Sequence, residues 1–198
     1  LQCRPFACPF GHTCGLRDGA RACVAHPGRC VVSPAARFVT FDGVTGATLA
    51  TGVYVVASVC EPRDPAWFRL LGDVRDTGEQ PAVVALHLFT ARSFVTVQRD
   101  RKVWLNGVPT PLPLELPGSL TITETPRTLR IDRIPGFLVE LGAAGVTVEA
   151  PGEARAKLCG LCGDYDGASS NDLRGPDGRA TSDSRALAEA WRAPDFHP

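Results

Sequence analysis

The chain has 198 residues, 21 basic and 21 acidic side chains, eight cysteines and no methionine. This length accommodates one sizeable core plus a smaller appendage, and balanced charge with no Lys/Arg-dense stripe excludes the electrostatic footprint of nucleic-acid binding. No apolar run is long enough to span a bilayer and no basic-then-apolar leader occurs, so neither a membrane span nor a retained signal peptide is expected; Leu1 in place of an initiator methionine reads as the start of an excised piece.

In chain order, Cys3, Cys8, Cys14, Cys23 and Cys30 crowd the first thirty residues, Cys60 stands alone, and Cys159 and Cys162 follow a long cysteine-free stretch. An even count with a dense small segment reads as a disulfide framework formed in an oxidising compartment. The middle of the chain is a series of short β-branched and aromatic runs bounded by Gly, Pro and Asp: Arg37–Phe41, Gly52–Ala57, Val83–Phe89 and Ser93–Val97. Lys102–Leu105, Asn106-Gly107 and Val108 form the strongest hairpin signal, since both central residues of a type I′ turn need positive φ. Further strands are expected at Ser119–Thr125, Thr128–Ile134, Phe137–Leu141 and Val146–Glu149. The fold class is therefore all-β, an antiparallel meander closing into a sandwich or flattened barrel. Helix is expected only over Arg185–Trp191, capped from Ser182-Asp183-Ser184 and stopped by Pro194. Leu187 and Trp191 share the face that pins it to the sandwich.

The run Cys159-Gly-Leu-Cys162-Gly-Asp164-Tyr165-Asp166-Gly167 places two cysteines beside a carboxylate-rich loop. A zinc site needs a second knuckle or a short-spaced histidine pair, and His12, His26, His87 and His197 are scattered. A thioredoxin-like motif should open a helix that lowers a thiol pKa, whereas this one runs into an acidic loop. Asp164, Asp166, Asn171 and Asp172 offer oxygen ligands around Gly167, as a flexible calcium site requires; the alternative is an Asx-turn loop whose carboxylates cap backbone amides. Spacing alone leaves both open, because the register of an EF-hand is absent.

Catalysis finds no motif. Ser33, Ser58, Ser93 and Ser119 lack a nucleophile-elbow context and no glycine-rich phosphate loop occurs. Asp73 and Asp76 beside Arg69 and Arg75 read as a solvated charged face, and Trp67 and Trp104 as core or sheet-face residues. There is no N-x-S/T sequon. No enzyme is expected.

Phe41-Asp42-Gly43 after a cysteine, the cysteine-poor β region, the C-G-L-C-G-D-Y-D-G run and the terminal Ala190-Trp191 together resemble a von Willebrand factor type D domain. The resemblance covers Cys30 to about Trp191, giving a domain over 30–198; residues 1–29 are similar to the cysteine-rich tail of a trypsin-inhibitor-like module or linker. It implies the bridges Cys30–Cys162 and Cys60–Cys159. A further family bond is missing at both ends, since Thr51–Tyr54 holds no cysteine and none follows Trp191. The remaining four would close as Cys3–Cys14 and Cys8–Cys23, although four cysteines permit three connectivities. Bridging Cys30 to Cys162 closes a loop worth about 4 to 5 kcal/mol in the chain-entropy model.

The resemblance adds Asp42 to Asp164, Asp166, Asn171 and Asp172 as a fifth ligand of structural calcium. It also marks an absence, because the Gly-Asp-Pro-His sequence at which some D domains cleave themselves is replaced by Pro34-Ala35-Ala36-Arg37. The implied function is a secreted, non-catalytic structural and interaction module of a large mucus or matrix glycoprotein. The alternative is a redox-active assembly module in which Cys159 and Cys162 exchange disulfides, which labelling of free thiols would reveal. Implied partners are neighbouring D-type modules and other mucus or matrix proteins; the IgG Fc region is suggested by family names alone, and no residue specifies it.

Overall fold

The computed structural model describes residues 3–4, 7–133 and 135–197. An N-terminal hairpin, β1 (His12–Arg17) and β2 (Ala20–Ala25), is a sheet of its own stapled by Cys3–Cys14 and Cys8–Cys23. The chain continues into β3 (Gly28–Val32), β4 (Arg37–Val39) and β5 (Thr45–Thr48), then into an antiparallel meander of β6 (Gly52–Val59), β7 (Phe68–Asp76), β8 (Pro81–Thr90), β9 (Phe94–Gln98), β10 (Val103–Leu105) and β11 (Val108–Pro109). A second meander follows: β12 (Leu114–Leu116), β13 (Leu120–Glu124), β14 (Thr128–Arg133), β15 (Phe137–Gly142) and β16 (Gly145–Ala150). The short β17 (Leu158–Cys159) and α1 (Ser184–Ala190) complete the chain.

Two sheets result, in the orders β12-β13-β14-β15-β16-β3-β4-β5 and β11-β10-β9-β8-β7-β6-β17. Alternation along β14 to β16 turns Leu129, Ile131, Val139, Leu141, Val146 and Val148 inward, and these share one core with Leu86, Leu88, Val95 and Val97 of the other sheet. The architecture is thus a sandwich with open sheet edges. The edge of β6 is covered by β17 and by the end of the chain, where Val55 donates to Trp191 O (2.8 Å) and Ala193 to Val53 O (2.9 Å), so few main-chain groups remain for edge pairing. The hairpin turn has φ of 50° at Asn106 and 81° at Gly107, as the Asn-Gly signal predicts. Asp183 caps α1 by accepting from Arg185 N (2.9 Å) and Ala186 N (3.1 Å), and Leu187 is buried.

Two expectations differ. The strand expected over Arg37–Phe41 ends at Val39, because Thr40 starts a turn: its Oγ1 accepts from Val44 N (2.9 Å), and Phe41 and Asp42 leave the sheet. β7 has no counterpart among the expected strands, and Asp73 on it is not solvated but 5% exposed, with Arg75 Nε 2.7 Å from its carboxylate. Arg69 pairs instead with Asp195 (2.6 Å). Finally, Ile134, expected to end β14, lies outside the described residues.

The outer face of the seven-stranded sheet carries a satellite cluster of Val53, Val55, Leu71 and Ala193, with Phe89 and Phe196 packed against it. His87 is buried there, its ring centroid 4.5 Å from that of Phe196 and its Nδ1 2.9 Å from Thr96 Oγ1. Burial lowers its pKa below the ordinary 6.5, against the opposing charge of Asp73. The folded state therefore binds fewer protons than the unfolded one. The stability this contributes is complete above pH 6.5 and is lost as pH falls toward the depressed folded value. Between pH 7.5 and 5.5 the urea stability of the wild type should fall relative to that of His87→Gln; a difference between the two proteins that does not change with pH would refute this.

Candidate cation site at the disulfide clamp

The Cys159–Cys162 turn is stitched to the edge of β6, with Leu161 N and Cys162 N donating to Val55 O and Val56 O at 3.0 Å each. Its two cysteines bond to different sheets. Cys159 joins Cys60, just past β6, and Cys162 joins Cys30 on β3. The knuckle thus ties the two layers together covalently, and Cys30 and Cys162 are both buried.

Phe41 N donates to Cys162 O (2.9 Å), which holds the turn after β4 against the acidic loop. The Asp42 carboxylate accepts from Asp166 N and Gly167 N, both at 3.1 Å. One oxygen each from Asp42, Asp164 and Asp166 lie within 4.8 Å of one another. Asn171 joins through its amide, which donates to Asp166 Oδ2 (2.7 Å), while Asp166 Oδ1 accepts from Ala168 N (2.7 Å). Asp172 stands beside this trio, 1% exposed, accepting from the Thr40 hydroxyl. Gly163 is required here: its φ is 80°, and a Cβ would sit 2.3 Å from Asp172 Oδ1.

Charge is crowded in this loop. The Asp172 carboxyl is pushed up to about 6 by burial, opposed by the Thr40 hydrogen bond and reinforced by Asp42 and Asp164. Burial, then Asp166 and Asp42, raise Asp164 as well, whereas hydrogen bonds from Asn171 and Ala168 lower Asp166.

Amide capping, the Asx-turn alternative, accounts for Asp42 and Asp166 but not for the rest. Asp164 Oδ1, Asn171 Oδ1 and Asp172 Oδ1 are buried acceptors with no donor. Asp164, Asn171 and Asp172 also line a cleft of about 130 Å³ closed by Gly163, Arg174 and Trp191. Donorless buried oxygens are costly unless a cation takes the place of the missing donors, and an all-oxygen set of carboxylates and a carboxamide is the chemistry of calcium rather than of zinc.

Two contacts at the site, those of Thr40 and Phe10, escape sequence reasoning. Thr40 donates its hydroxyl to the Asp172 carboxylate, and its place two positions before Asp42 is the one signal that points to it. Tyr165, buried with φ of 54°, packs its ring 5.6 Å from Phe41 and 4.8 Å from Phe10 of the N-terminal segment, and Arg155 covers Phe10 at 4.4 Å. Nothing local in the sequence announces the Phe10 contact. Trp191 Nε1 donates to Arg174 O (2.9 Å), anchoring the helix end beside the same loop.

The chain is 36% identical over its whole length to the human (Homo sapiens) IgGFc-binding protein, of which it spans 4%. It is 28% identical to pig (Sus scrofa) zonadhesin over 97% of the chain and 8% of that protein. Against chicken (Gallus gallus) alpha-tectorin the identity is 24%, over 97% of the chain and 9% of the relative. It therefore covers less than a tenth of each of these relatives. Among the described residues, no helix is long and apolar enough to cross a membrane. The von Willebrand factor type D domain family matches residues 30–179, spanning the clamp, the sandwich and the acidic loop, and the chain belongs to that family.

Proposed function

We propose that the chain is a secreted, calcium-stabilised, disulfide-bonded structural and interaction module of a large multidomain mucus or matrix glycoprotein, and that it is not a catalyst. The observation that carries this reading is the set of donorless buried oxygens of Asp164, Asn171 and Asp172 beside the Asp42–Asp164–Asp166 trio. Calcium there would bind the loop to the turn after β4, so its role is to stiffen the joint that the Cys30–Cys162 bond closes. Neighbouring D-type modules and other mucus or matrix proteins are the partners that fit such a unit. The name of its human relative says that protein binds the IgG Fc region; no residue here supports transferring that activity. Self-cleavage is not assigned either, because Pro34-Ala35-Ala36-Arg37 offers neither an Asp-Pro bond nor a histidine. No free cysteine occurs among the described residues, and burial of Cys30 and Cys162 argues against thiol exchange at that bond.

Thermal unfolding of the chelator-stripped chain tests this. With a Kd of about 10⁻⁴ M, millimolar calcium should add about 1.4 kcal/mol, a rise in Tm of roughly 3–6 °C for a domain of this size. Asp164→Asn/Asp166→Asn should abolish the rise. An unchanged Tm together with no binding heat at about 10 mM calcium would overturn the reading.

A further inference from the structure

The basic side chains are arginines apart from Lys102 and Lys157, and three of them gather far from the acidic loop. The register Val32↔Val146 and Gly28↔Ala150, with Phe38↔Val32, directs the chain after β4 toward one end of the sandwich and the β15–β16 turn toward the other. At that second end three hairpin turns meet: 99–102 from the seven-stranded sheet, and 125–127 and 143–144 from the eight-stranded one. They enclose a groove of about 560 Å³ lined by Arg99, Arg101 and Arg127, with Leu141, Ala143 and Ala144 among its apolar walls.

The three arginines are not equivalent. Arg101 crosses between the sheets, pairing with Glu124 and donating to Pro126 O (2.8 Å), so it is neutralised and held. Nearby, Lys102 pairs with Asp100 (2.8 Å). Arg99 and Arg127 flank the groove, both exposed, and neither guanidinium has an acidic partner among the described residues. The groove thus carries two guanidinium forks without an acidic partner among the described residues, beside an apolar lining that includes Leu141, Ala143 and Ala144.

We propose that this groove is a binding site for an acidic glycan, with Arg99 and Arg127 gripping sulfate-ester or carboxylate oxygens. Guanidinium forks match such planar or tetrahedral oxyanions bidentately, and the volume suits one or two sugar units. The apolar part of the lining fits the C–H face of a sugar ring. Nucleic acid is disfavoured because no aromatic side chain lines the groove for base stacking. The site is separate from the acidic loop, so it stands or falls independently of calcium.

The test is calorimetric titration of the calcium-loaded chain with a fully sulfated heparin tetrasaccharide at about 50 mM salt, where exposed ion pairs are weakly screened. Saturable binding is expected, weakened at least about tenfold by Arg99→Gln/Arg127→Gln and less than about twofold by Arg63→Gln/Arg185→Gln, which removes two exposed arginines elsewhere. The desulfated tetrasaccharide should not bind. Absence of saturable binding, equal weakening by both double variants, or equally tight binding of a single-stranded oligonucleotide of matched charge would each overturn the assignment.

Discussion

Cys30→Ala/Cys162→Ala is expected to lose about 4 kcal/mol of stability, against about 3 kcal/mol for Cys3→Ala/Cys14→Ala, on loop-closure entropy alone. The difference follows from the chain each bond closes: 132 residues separate Cys30 from Cys162, but Cys60–Cys159 already bridges 99 of them and leaves about 33, against 11 between Cys3 and Cys14. The first bond is also buried between the sheets, and its loss frees the segment that carries Asp42. Two readouts should therefore move together in this variant: the urea midpoint falls and the calcium concentration for half-saturation rises. The N-terminal variant should change only the first. Urea unfolding at several calcium concentrations measures both, and equal losses in the two variants would contradict the assignment of the knuckle as the main staple.

Asp172→Asn should change sign with calcium. In the calcium-free chain the substitution removes a buried charge crowded by Asp42 and Asp164, while the amide oxygen still accepts from Thr40. A gain of about 1–3 kcal/mol is expected on that account. With calcium bound the same change removes a negative charge from the site, and a loss of similar size, about 1–3 kcal/mol, is expected. Asp166→Asn is the contrast. Its carboxylate is already satisfied by Asn171 and Ala168 N, so it should destabilise in both conditions. The same sign for Asp172→Asn with and without the ion would remove Asp172 from the site.

Much of the sandwich is legible because its strands bury one face and turn on residues with special backbone preferences. β8, β13, β15 and β16 all announce themselves through Val, Ile, Leu and Phe at alternate positions, and Asn106-Gly107 fixes a hairpin register. β7 is illegible for the opposite reason. Arg69, Gly72, Asp73 and Arg75 disguise it, and only contacts with β6, β8 and Asp195 make those residues compatible with a central strand. The acidic loop is visible as a cluster of oxygens, yet its completion by Asp42 rested on family resemblance. Thr40 and Phe10 lie more than a hundred residues from the side chains they touch, where no local pattern reaches.

The knuckle also has a mechanical consequence. Tension applied at the two chain ends passes from the N-terminal segment to Cys30, crosses the sulfur–sulfur bond to Cys162 and leaves through the C-terminal segment. The strands from β4 to β16 lie inside the bridged loop and carry none of that pull, even if they unravel. About 450 Å of extended polypeptide is thereby withheld from any stretching of the molecule, given 132 residues of separation and the span of a fully extended residue. A polymer of such units would behave as a chain of nearly inextensible links whose compliance lies in the connections between them.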